Sequence, residues 1–283
     1  MNVILAYIFY FVAASASPLQ RRWLAKKKDI DGKGQINLAF RVTLIVGILS
    51  LLLPLISPFY LTGNIWYILG LALATGIFGA SAIIISYYLQ KHVQAGVYTL
   101  VTNIYTPIAI VLATIFLNER LLPLQILGTV FLLAGIVIVS KKHKIGRFKF
   151  DKYFILLLLG GFLIAIDVTL ERALQKATGL SAGLMIMVWS QCLFLGLAVL
   201  ISKSKNIYSK NDITITGVLR FLQTISWAIL IFVVGNLSIV SSVTTFKVVI
   251  MFIAGALILQ EHDDIKRKIL GSVIAVIGLL LMK

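Results

Sequence analysis

The sequence is short of negative charge, of cysteine and of histidine. Its 283 residues carry 10 Asp and Glu against 26 Lys and Arg, a formal net charge of +16. The single cysteine, Cys192, lies in an apolar run, so no disulfide forms within the chain and an inert buried thiol is expected. His92, His143 and His262 are isolated from one another, and no His/Cys cluster suggests a metal. There is no GxxxxGK[ST] stretch to cradle ATP phosphates, which argues against ATP-driven pumping by this chain alone. A glycine-rich carbonyl filter of the potassium-channel kind is missing too. No base stands at a recognisable spacing from a Ser or Thr, so the chain is not read as an enzyme, and no cofactor is expected.

Charge is scarce altogether, at 13% of residues, while 60% are hydrophobic and the mean hydropathy is +1.01. A soluble protein of this length has nowhere to put so much apolar surface, and long uncharged runs indicate bilayer-spanning helices. The excess of Lys and Arg does not indicate nucleic-acid binding, because these residues lie between apolar runs rather than along one face. About ten runs are long enough as helices to cross a hydrocarbon core of about 30 Å. They fall near 2–17, 36–56, 64–89, 94–117, 121–140, 153–175, 180–202, 213–235, 238–259 and 267–282. The first has the Ala14-Ser15-Ala16 pattern of a signal-peptide cleavage site, but its start carries no Lys or Arg, so retention as a helix is expected.

The stretch Val101–Ser140 has two apolar runs around the polar hinge Asn118-Glu119-Arg120, and the pattern returns near the C-terminus. Leu117-Asn118-Glu119 corresponds to Leu259-Gln260-Glu261 at an offset of 142. Ile126-Leu127-Gly128 then corresponds to Ile269-Leu270-Gly271, and Gly135 to Gly278, at an offset of 143. Such an internal repeat says that one helical unit is used twice. The expected units are 1–140 and 153–283, joined by a basic connection at 141–152. Small residues in the repeat (Gly128 and Gly135; Gly271, Ala275 and Gly278) share a helical face that lets neighbouring helices approach closely.

Charge decides orientation. Odd-numbered connections hold 19 Lys and Arg, and even-numbered connections with the termini hold 3. The positive-inside rule then places the odd connections in the cytoplasm and both termini outside. Because five helices is an odd number, the second unit enters the membrane upside down, and equivalent connections should exchange their charge. The basic 18–35 connection does correspond to the sparse 176–181 one, and the sparse 57–63 connection to the basic 203–212 one. Inverted repeats of this kind belong to transporters that alternate access around a midplane site.

Leu117-Asn118-Glu119-Arg120-Leu121, followed by Leu124-Gln125-Ile126-Leu127-Gly128 and Ala134-Gly135, resembles the EamA-like transporter family of the drug/metabolite transporter superfamily. Ala39-Phe40-Arg41 also fits that pattern, whereas Glu261-His262-Asp263-Asp264 departs from it in the second unit. The resemblance implies an all-α integral membrane protein of ten transmembrane helices, as two inverted five-helix repeats around a central cavity. It also implies cytoplasmic termini, against the charge count.

Ionisable residues inside spanning helices cost about 2.5–3.5 kcal/mol on insertion scales, so each is a functional candidate. Lys247 corresponds to Tyr105 by the repeat offset, and the two should face each other where a midplane site forms. Pro107 cannot bond back to the Asn103 carbonyl, so a kink with that carbonyl released is expected. Asn103, Tyr105 and Lys247 are the expected cavity set; the alternative is that Lys247 pairs with Asp167 or Glu171 as static glue. Asp167 and Glu171 share a helix face, and close carboxylates in a low dielectric favour holding a proton between them, which suits proton coupling. Glu171 also approaches a helix end, where local pairing with Arg172 or Lys176 suffices. Arg41 reaches either a substrate carboxylate or phosphate, or lipid headgroups. Trp227 and Tyr98 either line the cavity or pack. Glu119 and Glu261 are expected to orient helical hairpins at the interface.

The expectation is a secondary active transporter in the cell (plasma or inner) membrane. It would move a small polar or amphipathic metabolite such as an amino acid, with export the usual direction, and act as a monomer or homodimer. Anionic lipids are expected at the basic loops. The alternative is a protein that translocates lipids or their headgroups.

Overall fold

The computed structural model describes residues 3–27, 32–61, 63–117, 123–140, 152–244, 246–260 and 265–281. The hinges with Glu119 and Glu261, and all but the last residue of the 141–152 connection, lie outside the described residues. All regular structure among the described residues is helical. In order the elements are α1 (Val3–Lys27), α2 (Gly32–Ser50), a 3-10 turn (Leu53–Leu55), α3 (Ile65–His92), α4 (Ala95–Thr102) and α5 (Tyr105–Leu117). There follow α6 (Pro123–Ser140), α7 (Lys152–Ser202), α8 (Lys210–Val234), α9 (Leu237–Thr244), α10 (Lys247–Leu259) and α11 (Ile265–Leu281). Six helical segments among the described residues are long and apolar enough to cross a membrane.

Apolar side chains cover the outside. Ile4, Ile8 and Val12 of α1 and Leu193, Leu200 and Ile201 of α7 are exposed, while Gln90, Thr99, Glu171 and Gln191 are buried. This inside-out distribution suits hydrocarbon as solvent. Inside, α3 packs on α7, α1 on α8, α4 on α10, α5 on α9, and α6 on α11, with α2 wedged against α7 and α8.

Three expectations about the spans need correction. The first apolar run ends near residue 17, but α1 continues through Pro18 to Lys27. The arginines that end the run do not end the helix, because Arg21 and Arg22 are buried against protein rather than released to water. Second, 153–175 and 180–202 are not separated by a loop. The two arms of α7 meet at the single residue Gly179, whose φ of 80° and ψ of −177° is a conformation open to glycine. At 1.5 Å per residue, a straight helix of this length would run about 76 Å, more than twice the hydrocarbon core, so the bend is needed.

The third correction concerns Pro107. The fourth run is broken between α4 and α5, yet the Asn103 carbonyl is not released: it accepts the Thr106 N–H at 2.9 Å. A matching break divides α9 from α10, where Val249 stands at the place of Pro107 and donates its own N–H to the Phe246 carbonyl at 3.1 Å. The proline therefore does not cause the break. What the two breaks share is the turn itself. Ile104 N–H donates to Val101 O and Phe246 N–H to Val243 O, both at 3.2 Å. One residue-pair earlier, the Thr102 hydroxyl donates to Tyr98 O and the Thr244 hydroxyl to Val240 O, both at 2.7 Å. A threonine bonding back one turn loosens the local helical ladder.

Cations cap helix ends away from the breaks, also in matching fashion. Arg22 of α1 donates to the Gln90 and Lys91 carbonyls at the end of α3, at 2.6 and 2.8 Å, and Lys26 donates to Leu259 O at the end of α10 at 2.8 Å. Arg172 of α7 donates to Gly235 O after α8, and Lys176 to Leu117 O at the end of α5 at 3.1 Å. Both pairs are spaced four apart, and Leu117 and Leu259 are equivalent by the 142 offset. Each cation satisfies terminal carbonyls and meets the negative end of a helix dipole.

The α6–α11 contact is made by small residues. A Cβ on Gly278 would lie 2.5 Å from the Gly128 carbonyl oxygen and 2.6 Å from the Leu132 nitrogen. One on Gly135 would collide with the Gly271 carbonyl and lie 2.6 Å from the Ala275 Cβ. The backbones touch because neither glycine has a side chain.

Candidate functional site

A polar cavity of about 180 Å³ lies between α1, α2, α3, α4, α7 and α8, closed by the first residues of α5 and α10. Helical spacing explains which side chains reach it. Tyr10, Ala14, Pro18 and Arg21 recur every three or four residues on α1, and Ile164, Asp167, Val168 and Glu171 on α7 and Arg220, Gln223, Thr224 and Trp227 on α8 follow the i, i+3, i+4, i+7 pattern of one helix face. Tyr105 and Lys247 arrive from the two helix breaks, each as the first residue after one.

At one end, Lys247 Nζ donates to the Tyr10 hydroxyl at 3.2 Å and lies 5.6 Å from the Tyr105 ring centroid. The Tyr10 ring packs on Trp227 at 5.6 Å between centroids, and Trp227 Nε1 donates to Glu171 Oε2 at 3.1 Å. Gln175 Nε2 reaches the other Glu171 oxygen at 3.3 Å. In the middle, Gln191 Nε2 donates to the two Asp167 oxygens at 3.0 and 3.2 Å. Gly79 of α3 makes room there: a Cβ on it would strike both Gln191 and Asp167. At the other end, the Arg21 guanidinium stacks 4.7 Å from the Tyr87 ring centroid, with its Nε buried and unbonded. Arg220 Nη1 donates to Gln223 Oε1 at 3.2 Å, and Ser86 and Tyr98 share a 2.6 Å hydroxyl bond. Three cations and two carboxylates thus line one small space; Arg21 rests on an aromatic ring and the other four hydrogen-bond to neutral partners. Such a wall can hold a charged or strongly polar solute out of hydrocarbon.

The structure brings Tyr105, Lys247, Trp227, Asp167 and Glu171 to this cavity. It leaves out two residues expected there. Arg41 is exposed on α2 and donates to Asn37 Oδ1 at 2.8 Å. Asn103 is fully buried in the α4–α5 turn, with neither side-chain polar atom bonded. Lys247 takes Tyr10 as its partner rather than Asp167 or Glu171, so the static ion pair is not the arrangement found. Tyr98 lines the cavity as well.

Sequence reasoning missed Arg21, Arg220, Tyr10 and Gln191. Arg220 was within reach, being an ionisable residue inside the 213–235 run. Arg21 was hidden in a basic cluster that reads as a loop. Tyr10 and Gln191 carry no signal beyond a polar atom in an apolar run.

No curated protein matches this chain. A solved crystal structure of a protein superposes on it with a TM-score of 0.67 at 13% identity, covering 99% of this chain and 95% of that one. At that identity the likeness shows the fold alone. Residues 1–141 match the EamA-like transporter family. With its apolar exterior and six segments among the described residues long and apolar enough to span, this is a multi-pass membrane protein, and it belongs to the EamA-like transporter family.

Proposed function

We propose that the chain is a secondary active transporter of the plasma or inner membrane that exports a small polar metabolite, such as an amino acid, by alternating access. Ten helices would form two five-helix units of opposite orientation, which rock about the cavity. The observation that carries this reading is the polar cavity seated at two equivalent helix breaks. Broken helices near the midplane are where transporters of inverted-repeat design bind their cargo. The matched turns at Ile104 and Phe246, and the exchanged caps Lys26–Leu259 and Lys176–Leu117, support two equivalent units. Opening either end would undo one set of caps and leave the other in place.

Asp167 and Glu171 are the proposed proton carriers. Both face the cavity, and their partners are neutral Gln191, Trp227 and Gln175, so a proton can be taken up without breaking an ion pair. Anionic lipids would gather at the basic connections.

The test is solute flux in proteoliposomes with and without a pH gradient. Lys247→Ala should lower flux by roughly 10- to 100-fold, the worth of one charge-assisted hydrogen bond, with folding intact. Asp167→Asn should abolish the response to the pH gradient while solute exchange persists. Headgroup-specific lipid movement without solute flux would replace this reading by lipid translocation.

A further inference from the structure

The Arg21 end of the cavity is not accounted for by the protein's own groups. Arg21 is 5% exposed, held by the Tyr87 ring, and its buried Nε has no acceptor. Arg220 lines the same space and sits within electrostatic reach of both Arg21 and Asp167. Its printed hydrogen bond goes to the neutral Gln223 amide. Two guanidiniums therefore share a small volume, and among the described residues no carboxylate is bonded to either. Buried cations are stable when an anion with matching geometry lies between them, and the guanidinium fork matches a carboxylate.

Charge on the whole wall points the same way. Arg21, Arg220 and Lys247 outweigh Asp167 and Glu171 by one positive charge when all are ionised. A solute of net charge −1 neutralises the cavity, a neutral or zwitterionic one leaves the excess, and a cation enlarges it. At about 180 Å³ the cavity suits a small solute. Drug-sized ligands take more than this.

We infer that Arg21 and Arg220 form the anion subsite of the cavity, seating the carboxylate of a small organic monoanion, with Tyr87 fixing the Arg21 plane. This inference rests on the transporter reading for its cargo, but the subsite itself is testable as a binding site. A matched four-carbon series makes the probe: butyrate, 4-aminobutyrate, butyramide and butylamine.

Thermal unfolding of the detergent-solubilised wild type should be shifted upward by butyrate, less by 4-aminobutyrate, and not by butyramide or butylamine. The butyrate shift should vanish in Arg21→Gln and in Arg220→Gln and return in part in the lysine variants, which keep the charge without the fork. The same series is then followed as flux in proteoliposomes. Stabilisation by butyrate with no flux of any of the four supports the subsite and overturns transport as its purpose. Flux of butyramide or butylamine with no butyrate response keeps the transporter and overturns the subsite. A butyrate shift that survives in both glutamine variants also overturns it. If neither glutamine variant gives monodisperse protein, the wild-type ranking of the four probes decides alone, and equal shifts across them overturn the inference.

Discussion

Trp227 joins the two chemistries of the cavity, with its ring on Tyr10 and its N–H on Glu171. Trp227→Phe keeps the aromatic contact and removes the donor, leaving Glu171 with the 3.3 Å contact from Gln175. The expected result is weakened pH-gradient coupling with near-normal solute exchange, read from flux at two imposed gradients. Asn103 gives the opposite kind of prediction. Its amide is fully buried with neither atom bonded, a cost of about 1–3 kcal/mol for an unsatisfied polar group. Asn103→Leu, of similar shape, should raise the melting temperature of the purified protein by a few degrees. A fall would mean that the amide is bonded after all. At this scale the sequence was partly legible. Lys247 and Asp167 are lone charges in apolar runs, and insertion cost alone marks them. Arg21 was not, because clustered arginines read as a loop until the helix is seen to continue beneath them.

Whole elements were legible where hydropathy alone decides and illegible where a backbone detail does. The small-residue register of α6 and α11 is visible as spacing, and the contact follows from it. The break at Gly179 is not, since one glycine in a conformation open to glycine replaces the expected 176–181 connection. Nor is the α9–α10 break, which has no proline. The matched glycines allow a sharp test. Gly278→Leu forces a side chain onto the Gly128 carbonyl, a rigid backbone group, and Gly135→Leu does the same against Gly271. Each should destabilise the protein by about 1–3 kcal/mol, the usual cost of overpacking, measured by unfolding in detergent. Gly70 lies in α3 with open space where its Cβ would be, so Gly70→Leu serves as the control and should be neutral.

For the molecule as a whole, the repeat offset pairs Tyr105 with Lys247, and these two residues meet, Lys247 Nζ lying 5.6 Å from the Tyr105 ring centroid. It did not predict which way the pair sits in the membrane. The charge bias puts 203–212 in the cytoplasm and 57–63 outside, while family resemblance implies the reverse. Arg22 and Lys26, counted with the cytoplasmic loops, are engaged in capping α3 and α10, so part of that bias answers to helix ends rather than to the translocation machinery. With those two set aside, the odd connections still hold 17 Lys and Arg against 3 on the other side, and charges near the helix ends are the ones that set insertion. Labelling with a membrane-impermeant maleimide separates the possibilities. In a Cys192→Ser background, Tyr60→Cys and Lys205→Cys place single thiols in exposed or connecting segments after α2 and after α7. Tyr60→Cys should react in intact cells, and Lys205→Cys only in inside-out vesicles. The reversed pattern would keep the inverted units and turn the molecule over. Labelling of both from one side would place equivalent connections on the same face, and two units of opposite orientation cannot do that.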